Sequence, residues 1–263
     1  ALRQVLEGQA APGALDKQVL VFVPVFNIDG HERFGRWNRP NQRGPEESGW
    51  RTTAQNLNLN RDYAKLDSPE LRAVVRALDG WRPDLYLDLH VTDGMDFQYD
   101  VTWIFNGPHA WSPAIARWLQ QRWAPHTTRG LEEMGHVPGP YLTLREDTDP
   151  AQGIVDLTAG IRFSQGYGTA RHLPTVIIET HSLKPYAQRV LGTYVVLETS
   201  LALLGAEKDT LRRAIREDEA RQPALVPLDW KDSGEQGTIT IKGIDFRISD
   251  SPISGHKRVE WTG

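Results

Sequence analysis

The stretch "DLYLDLHVTDG", Asp84 to Gly94, decides how this chain folds. Leu85, Leu87 and Leu89 alternate with Tyr86, Asp88 and His90, the period-two pattern of a strand with two unlike faces. The run reads as a buried strand from Asp84 to Val91 that closes on an imidazole. Ligands of parallel sheets sit beyond the carboxyl ends of the strands, so a histidine placed there is a candidate functional group.

Working outward, the flanking segments alternate between strand and helix patterns. Val19 to Phe26, "VLVFVPVF", is a continuous β-branched and aromatic run, expected as a strand covered on both faces. A polar stretch from Asn27 to about Tyr63 follows and is too long for a plain connection, which marks it as functional. Ser68 and Pro69 cap a helix running to Leu78, with Glu70 in its first turn and Gly80 near its end. On the far side, Phe97 to Phe105 alternates as a strand, and "SPAIARWLQQRW" opens a helix at Ser112 and Pro113. "PTVIIETH", Pro174 to His181, is a further apolar strand, and a helical pattern runs from Pro185 to about Leu204. This order predicts an α/β fold with a mixed, largely parallel sheet flanked by helices.

After Gly205 the character changes. "EKDTLRRAIREDEARQ" is a charged helical stretch, and "GTITIKGIDFRISD" reads as two strands around Gly243. The expected organisation is an α/β domain over 1–205, then a linker helix and the start of a C-terminal β-rich extension over 206–263.

Composition limits the chemistry. With 263 residues, 39% hydrophobic, the chain can bury a core. Its net charge of -4 argues against nucleic acid or an anionic membrane as main partners, so positive chemistry must be local. It has no cysteine, which excludes disulfides and thiolate catalysis and leaves the compartment open between cytoplasm and an exported site. The tryptophans read as packing residues. Arg212, Arg213 and Arg216 read as a solvated helix face.

Four motifs, taken in order, resemble those of the zinc metallocarboxypeptidases of the carboxypeptidase A type. "FNIDG" resembles the family's Asn-Pro-Asp-Gly turn, "NLNLNRDY" its Asp-Leu-Asn-Arg segment, "LDLHVTDG" its third zinc-ligand strand, and "VIIETHS" the strand with its catalytic glutamate. The resemblance covers roughly Val19 to Leu204. It implies a Zn2+ enzyme acting on peptide C-termini, with His90 as a metal ligand and Glu179 as the general base. It also implies Asn60 and Arg61 as the anchor of the substrate carboxylate, for which a planar guanidinium supplies a bidentate fork. An arginine that polarises the scissile carbonyl follows an aromatic residue in the family. In "GRWNRPNQRG", Arg39 is the choice, although Asn38 intervenes. Tyr167, in "FSQGYGT", is the nearest match to the family's mobile tyrosine.

Two departures matter. Ile28 replaces the family's proline, leaving Asn27 and Asp29 to brace the turn. The family's first two zinc ligands form a His-x-x-Glu motif, and none of the eight histidines here has Glu three places on. The chain opens inside a helical pattern, and the pair is expected upstream of Ala1, leaving this piece with one ligand and an incomplete site. Three readings stay open: a zinc carboxypeptidase domain, a zinc deacylase of N-acyl amino acids, or a catalytically inactive peptide- or carbohydrate-binding module.

Overall fold

A computed structural model of the chain describes all residues except Asp93, Gly94, Asp147, Thr148, Asp232, Gln236, Ile244 and Gly263. The last two residues of the opening motif, and one residue of the expected C-terminal strand pair, therefore lie outside the described residues.

Early in the chain, α1 (Leu2–Leu6) and α2 (Ile28–Glu32) are short, and α3 (Pro69–Trp81) is the first long helix. Ser68 starts α3 as expected: its hydroxyl accepts the Leu71 N–H at 3.4 Å, and Pro69 occupies the first turn. The central sheet contains β1 (Tyr86–Thr92), β2 (Val101–Ile104) and β3 (Pro138–Pro140). Between β2 and β3 run α4 (Pro113–Trp118), a wide turn over Leu119–Trp123, and α5 (Ala124–Glu133). The short strands β4 (Thr143–Leu144) and β5 (Ile154–Val155) pair antiparallel with each other. Then come α6 (Ser164–Ala170), β6 (Thr175–His181) and the long α7 (Tyr186–Glu219), and finally the antiparallel pair β7 (Phe246–Asp250) and β8 (Lys257–Trp261).

The sheet order is β1-β6-β2-β3. Strand β6 runs parallel to β1 and antiparallel to β2, and β2 runs parallel to β3, so the sheet is mixed and largely parallel. Period-two alternation divides its faces. Val176 and Ile178 of β6 and Val101 of β2 are buried in the main core, with Leu85 and Leu87 packed against it and α4, α5 and α7 supplying the other wall. On the other face of β1, Tyr86 joins Tyr63, Leu71 and Val75 in a second cluster. The reading of Leu85/Leu87 against Tyr86/Asp88/His90 thus matches two distinct environments.

One strand prediction fails. Val19 to Phe26 is irregular, with bends at Pro24 and Phe26, and joins no sheet among the described residues, and Val19, Val21 and Val23 are 76%, 47% and 57% exposed. A strand covered on both faces needs ladder partners and two packing layers. Here only Leu20 and Phe26 reach apolar clusters, and the sheet ends at β1 without incorporating this run. The expected strand pair around Gly243 is also displaced: the hairpin forms from 246–250 and 257–261 instead.

The expected change of unit after Gly205 falls inside α7, which continues unbroken to Glu219. Leu211 and Ala214 belong to the main core, so this helix is not a free linker. Asp218, fully buried, reaches the start of α4, where its two carboxylate oxygens accept the N–H groups of Ala114 (3.1 Å) and Ile115 (2.8 Å). Those amides have no partner within their own helix. Asp218→Ala should therefore cost about 1–3 kcal/mol in urea denaturation, with Asp218→Asn recovering part of it. By length and composition α7 is the one helix among the described residues apolar enough to cross a bilayer, and its buried residues pack against the sheet, α4 and α5.

Candidate active site

The site begins with a register. In the parallel pair β1/β6, His90 lies opposite Glu179. Facing residues of neighbouring strands, about 4.8 Å apart, project to the same side, so imidazole and carboxylate share one face of the sheet. Asp88, two residues before His90, is on that face too and is buried. Its Oδ2 lies 2.9 Å from His90 Nε2, without the angular geometry of a hydrogen bond, so the contact is chiefly a charge interaction. Burial alone would lower the His90 pKa, but Asp88 and then Glu179 outweigh it, and the imidazole is raised above its usual value. Burial would raise Asp88, yet the His90 charge and Ser164 hold it low. Asp88 is a member of this site that the sequence reading missed, although its place on the His90 face of the strand was visible.

The polar loop supplies the opposite wall. In "NLNLNRDY" nearly every polar side chain has an internal task. Asn58 Oδ1 accepts the Asn60 N–H (3.1 Å), and Asn60 Oδ1 accepts the N–H of Ser164 at the start of α6 (3.0 Å). The Asp62 carboxylate accepts the N–H groups of Asp67 (2.9 Å) and Ser68 (2.8 Å) and the Ser68 hydroxyl. Burial would raise the Asp62 pKa, but these bonds hold it below the usual carboxylate value. Tyr63 goes into the apolar cluster, where its hydroxyl meets that of Tyr86 at 2.8 Å. Arg61 differs. Its guanidinium donates to the Asn60 carbonyl (2.6 Å), lies 4.5 Å from the Phe163 ring, and is close enough to Arg51, Arg162, Glu179 and Tyr141 to feel their charges. Burial and the two arginines lower its pKa, against the pull of Glu179 and Tyr141. So the structure brings His90, Glu179, Asn60 and Arg61 together.

The "FNIDG" turn explains how Arg51 reaches this place. Asn27 Oδ1 accepts the Gly30 N–H (3.0 Å), while Asn27 Nδ2 donates to the carbonyls of Trp50 (3.4 Å) and Arg51 (3.2 Å). Trp50 N–H donates to the Gly30 carbonyl (2.7 Å), and Asp29 accepts the Ala54 N–H (2.9 Å). Arg33 then lies 4.7 Å over the Trp50 ring. The turn is a clamp on residues 50–54, and Ile28, half exposed, donates its own N–H to the Phe26 carbonyl (3.2 Å).

Two expected residues have rivals in the structure. Arg51 is among the charges that act on Arg61, and Arg39 and Arg51 line one open cavity of about 520 Å³. The signal for Arg51 is the aromatic-then-arginine order of Trp50-Arg51, which "GRWNRP" lacks at Arg39. Tyr167 lies on α6 with its ring 5.4 Å from Tyr63 and its hydroxyl accepting from Arg171 (3.1 Å). A different tyrosine, Tyr141, is within electrostatic reach of Arg61.

The loop that carries Arg39 is tied to the end of β6. Arg43 N–H donates to the Ser182 carbonyl (2.8 Å), and the buried Arg189 donates to the carbonyls of Arg43 (3.2 Å), Gly44 and Lys184 (3.2 Å). Next to Ser182, His181 is 2% exposed; its Nδ1 accepts the Leu183 N–H (3.1 Å) and its Nε2 contacts the Met95 carbonyl. Burial lowers the His181 pKa, more than the Met95 carbonyl raises it. The unfolded chain then binds a proton that the folded chain refuses between the two pKa values, so stability rises with pH there. Thermal melts should show stability present above about pH 6.5 and lost progressively as pH falls below it. His181→Asn should flatten that slope.

Residues 2–104 match the zinc carboxypeptidase family. The matched region holds the Asn27–Gly30 turn, Arg51, Arg61 and His90, while Glu179 lies beyond it. Among solved structures, a metallo-carboxypeptidase from Burkholderia cenocepacia is similar over 62% of this chain and 41% of its own, at 19% identity and a TM-score of 0.36. The chain thus spans about two-fifths of that structure's length. No match is found among curated proteins. A catalytic zinc in a zinc carboxypeptidase calls for three protein ligands and an open position. Among the described residues no group of three His, Cys, Asp or Glu side chains is placed to hold a metal ion. The described residues therefore do not fit that centre on their own.

Proposed function

We propose that this chain is the substrate-recognition and general-base part of a zinc carboxypeptidase-type hydrolase that removes residues from peptide C-termini. One observation carries the reading: His90 and Glu179 stand side by side across the β1/β6 register, with Arg61 close enough to act on both. In this reading Arg61, with the amide nitrogen of Asn60, receives the terminal carboxylate of the peptide. Arg51, held by the Asn27–Gly30 clamp, faces the carbonyl to be cleaved and stabilises negative charge there, a role better suited to it than to Arg39. Glu179 takes a proton from the attacking water and passes it to the leaving amine. Tyr141 is the tyrosine at the substrate. His90 is the single metal ligand contributed by the described residues.

The test is direct. The chain should bind peptides with a free C-terminal carboxylate and discriminate against their amides, and it should retain zinc at well under one equivalent after dialysis. Release of amino acids from N-acyl amino acids in preference to peptides would replace this reading with the deacylase. Equal binding of acid and amide would remove it.

A further inference from the structure

Arg61 has a second guanidinium beside it. Arg61 lies 4.5 Å and Arg162 5.2 Å from the centre of the same Phe163 ring, so the two side chains are neighbours about one aromatic group. Glu179 offsets part of the Arg61 charge, and Arg162 adds to it. Arg162 itself is exposed and, among the described residues, has no carboxylate partner. Arginines elsewhere on the surface do find one: Arg117 pairs with Glu217 (3.1 Å), Arg171 with Asp79 (2.7 Å) and Arg212 with Asp84 (2.8 Å). Two guanidinium groups this close repel, and an anion at the second would relieve that repulsion.

The place of Arg162 is fixed by the backbone beneath it. The buried Asn106, just after β2, donates from Nδ2 to the Ala159 carbonyl (2.9 Å) and accepts the Ala159 N–H at Oδ1 (2.8 Å). Phe163 N–H donates to the Gly160 carbonyl (3.1 Å), the Arg162 carbonyl accepts the Tyr63 N–H (3.4 Å), and Ser164 N–H goes to Asn60 Oδ1 (3.0 Å). Residues 159–164 are thus pinned to the end of β2 on one side and to the segment carrying Asn60 and Arg61 on the other. A cation held at a set place beside a carboxylate anchor is suited to a second carboxylate on the same residue. In a C-terminal Asp or Glu the two acid groups are only a few bonds apart. We propose that Arg162 receives the side-chain carboxylate of the last residue, so that the site prefers peptides ending in Asp or Glu. The inference rests on the reading of Arg61 as the anchor of the terminal carboxylate.

The experiment uses the chain as it exists and measures binding, so it needs no metal. Calorimetric titrations compare the tetrapeptides Ala-Ala-Ala-Glu and Ala-Ala-Glu-Ala with their Gln isosteres, each as free acid and as C-terminal amide. At low ionic strength Ala-Ala-Ala-Glu should bind about tenfold more tightly than Ala-Ala-Ala-Gln, a gap of the size expected for a charge-assisted bond at an exposed rim, and the gap should shrink with salt. Glu in the penultimate position should give a much smaller gap. Arg162→Gln should erase the preference, and Arg162→Lys should keep most of it. If free acids are preferred over amides while the Glu-ending and Gln-ending peptides bind alike, the inference fails and the anchor reading stands. The inference fails equally if the gap survives Arg162→Gln, or if penultimate Glu gains as much as terminal Glu. If acids and amides bind equally, or nothing binds, both fall. The Glu-to-Gln comparison on the parent chain decides the matter even if the variants do not fold.

Discussion

Arg61→Ala is expected to reduce affinity for peptides with a free C-terminal carboxylate by roughly ten- to a hundredfold, while affinity for the amides hardly moves. The asymmetry follows from the neighbourhood. The guanidinium is held over Phe163 and against its own loop, and its surroundings add two like charges that a bound anion would relieve. Binding a carboxylate therefore gains twice, from the new contact and from lowered repulsion among the arginines. Arg61→Lys should restore only part of the loss, since an ammonium lacks the planar fork. Titrations of paired acid and amide peptides measure the effect. A variant that still separates the two as the parent does would remove Arg61 from the anchor. Deleting one of three clustered cations should also leave the melting temperature unchanged or slightly higher, which separates loss of binding from loss of fold.

The second large effect concerns Gly30. A Cβ at this position would fall 2.3 Å from the Trp50 carbonyl oxygen and 2.3 Å from Asn27 Nδ2, the groups that hold residues 50 and 51. Backbone cannot yield as the end of a side chain does, so Gly30→Ala must push the 50–51 segment away from the turn. We expect a destabilisation of about 1–3 kcal/mol, the range for overpacking, together with weaker peptide binding because Arg51 moves. Gly49, whose Cβ would lie 2.5 Å from the Gly30 carbonyl oxygen, should behave in the same way. Gly80 is the control: inside α3, with nothing within 4 Å of an added Cβ, its change to alanine should stabilise by up to about 1 kcal/mol. Chemical denaturation of the three variants gives the comparison, and equal stability of Gly30→Ala and the parent would refute the clamp.

What the sequence makes legible is local. The Ser68 cap, the alternation in β1 and the apolar run of β6 are patterns within a few residues, and each is where the pattern puts it. The β1/β6 adjacency is a tertiary fact, and it is what sets His90 beside Glu179. The departures are all tertiary. Val19 to Phe26 has strand composition, but burial depends on partners that its own residues do not specify. Charge rises after Gly205 and suggests a boundary there, yet Leu211, Ala214 and Asp218 form a buried stripe through that charged helix. An arginine-rich stretch draws the eye to Arg39 and past the local Trp50-Arg51 order, and what adds weight to Arg51 is the hold of Asn27 on the backbone some twenty residues later. Asp88 reads as part of a strand face, and only the distance to the imidazole gives it a role.

The open side of β1 has a practical outcome for anyone handling the chain. Its outer ladder groups and the bare valines at 19, 21 and 23 are the ingredients of intermolecular ribbon formation. Solubility will then fall as concentration rises, and lysine at Val21 and Val23, 47% and 57% exposed, is the simplest remedy.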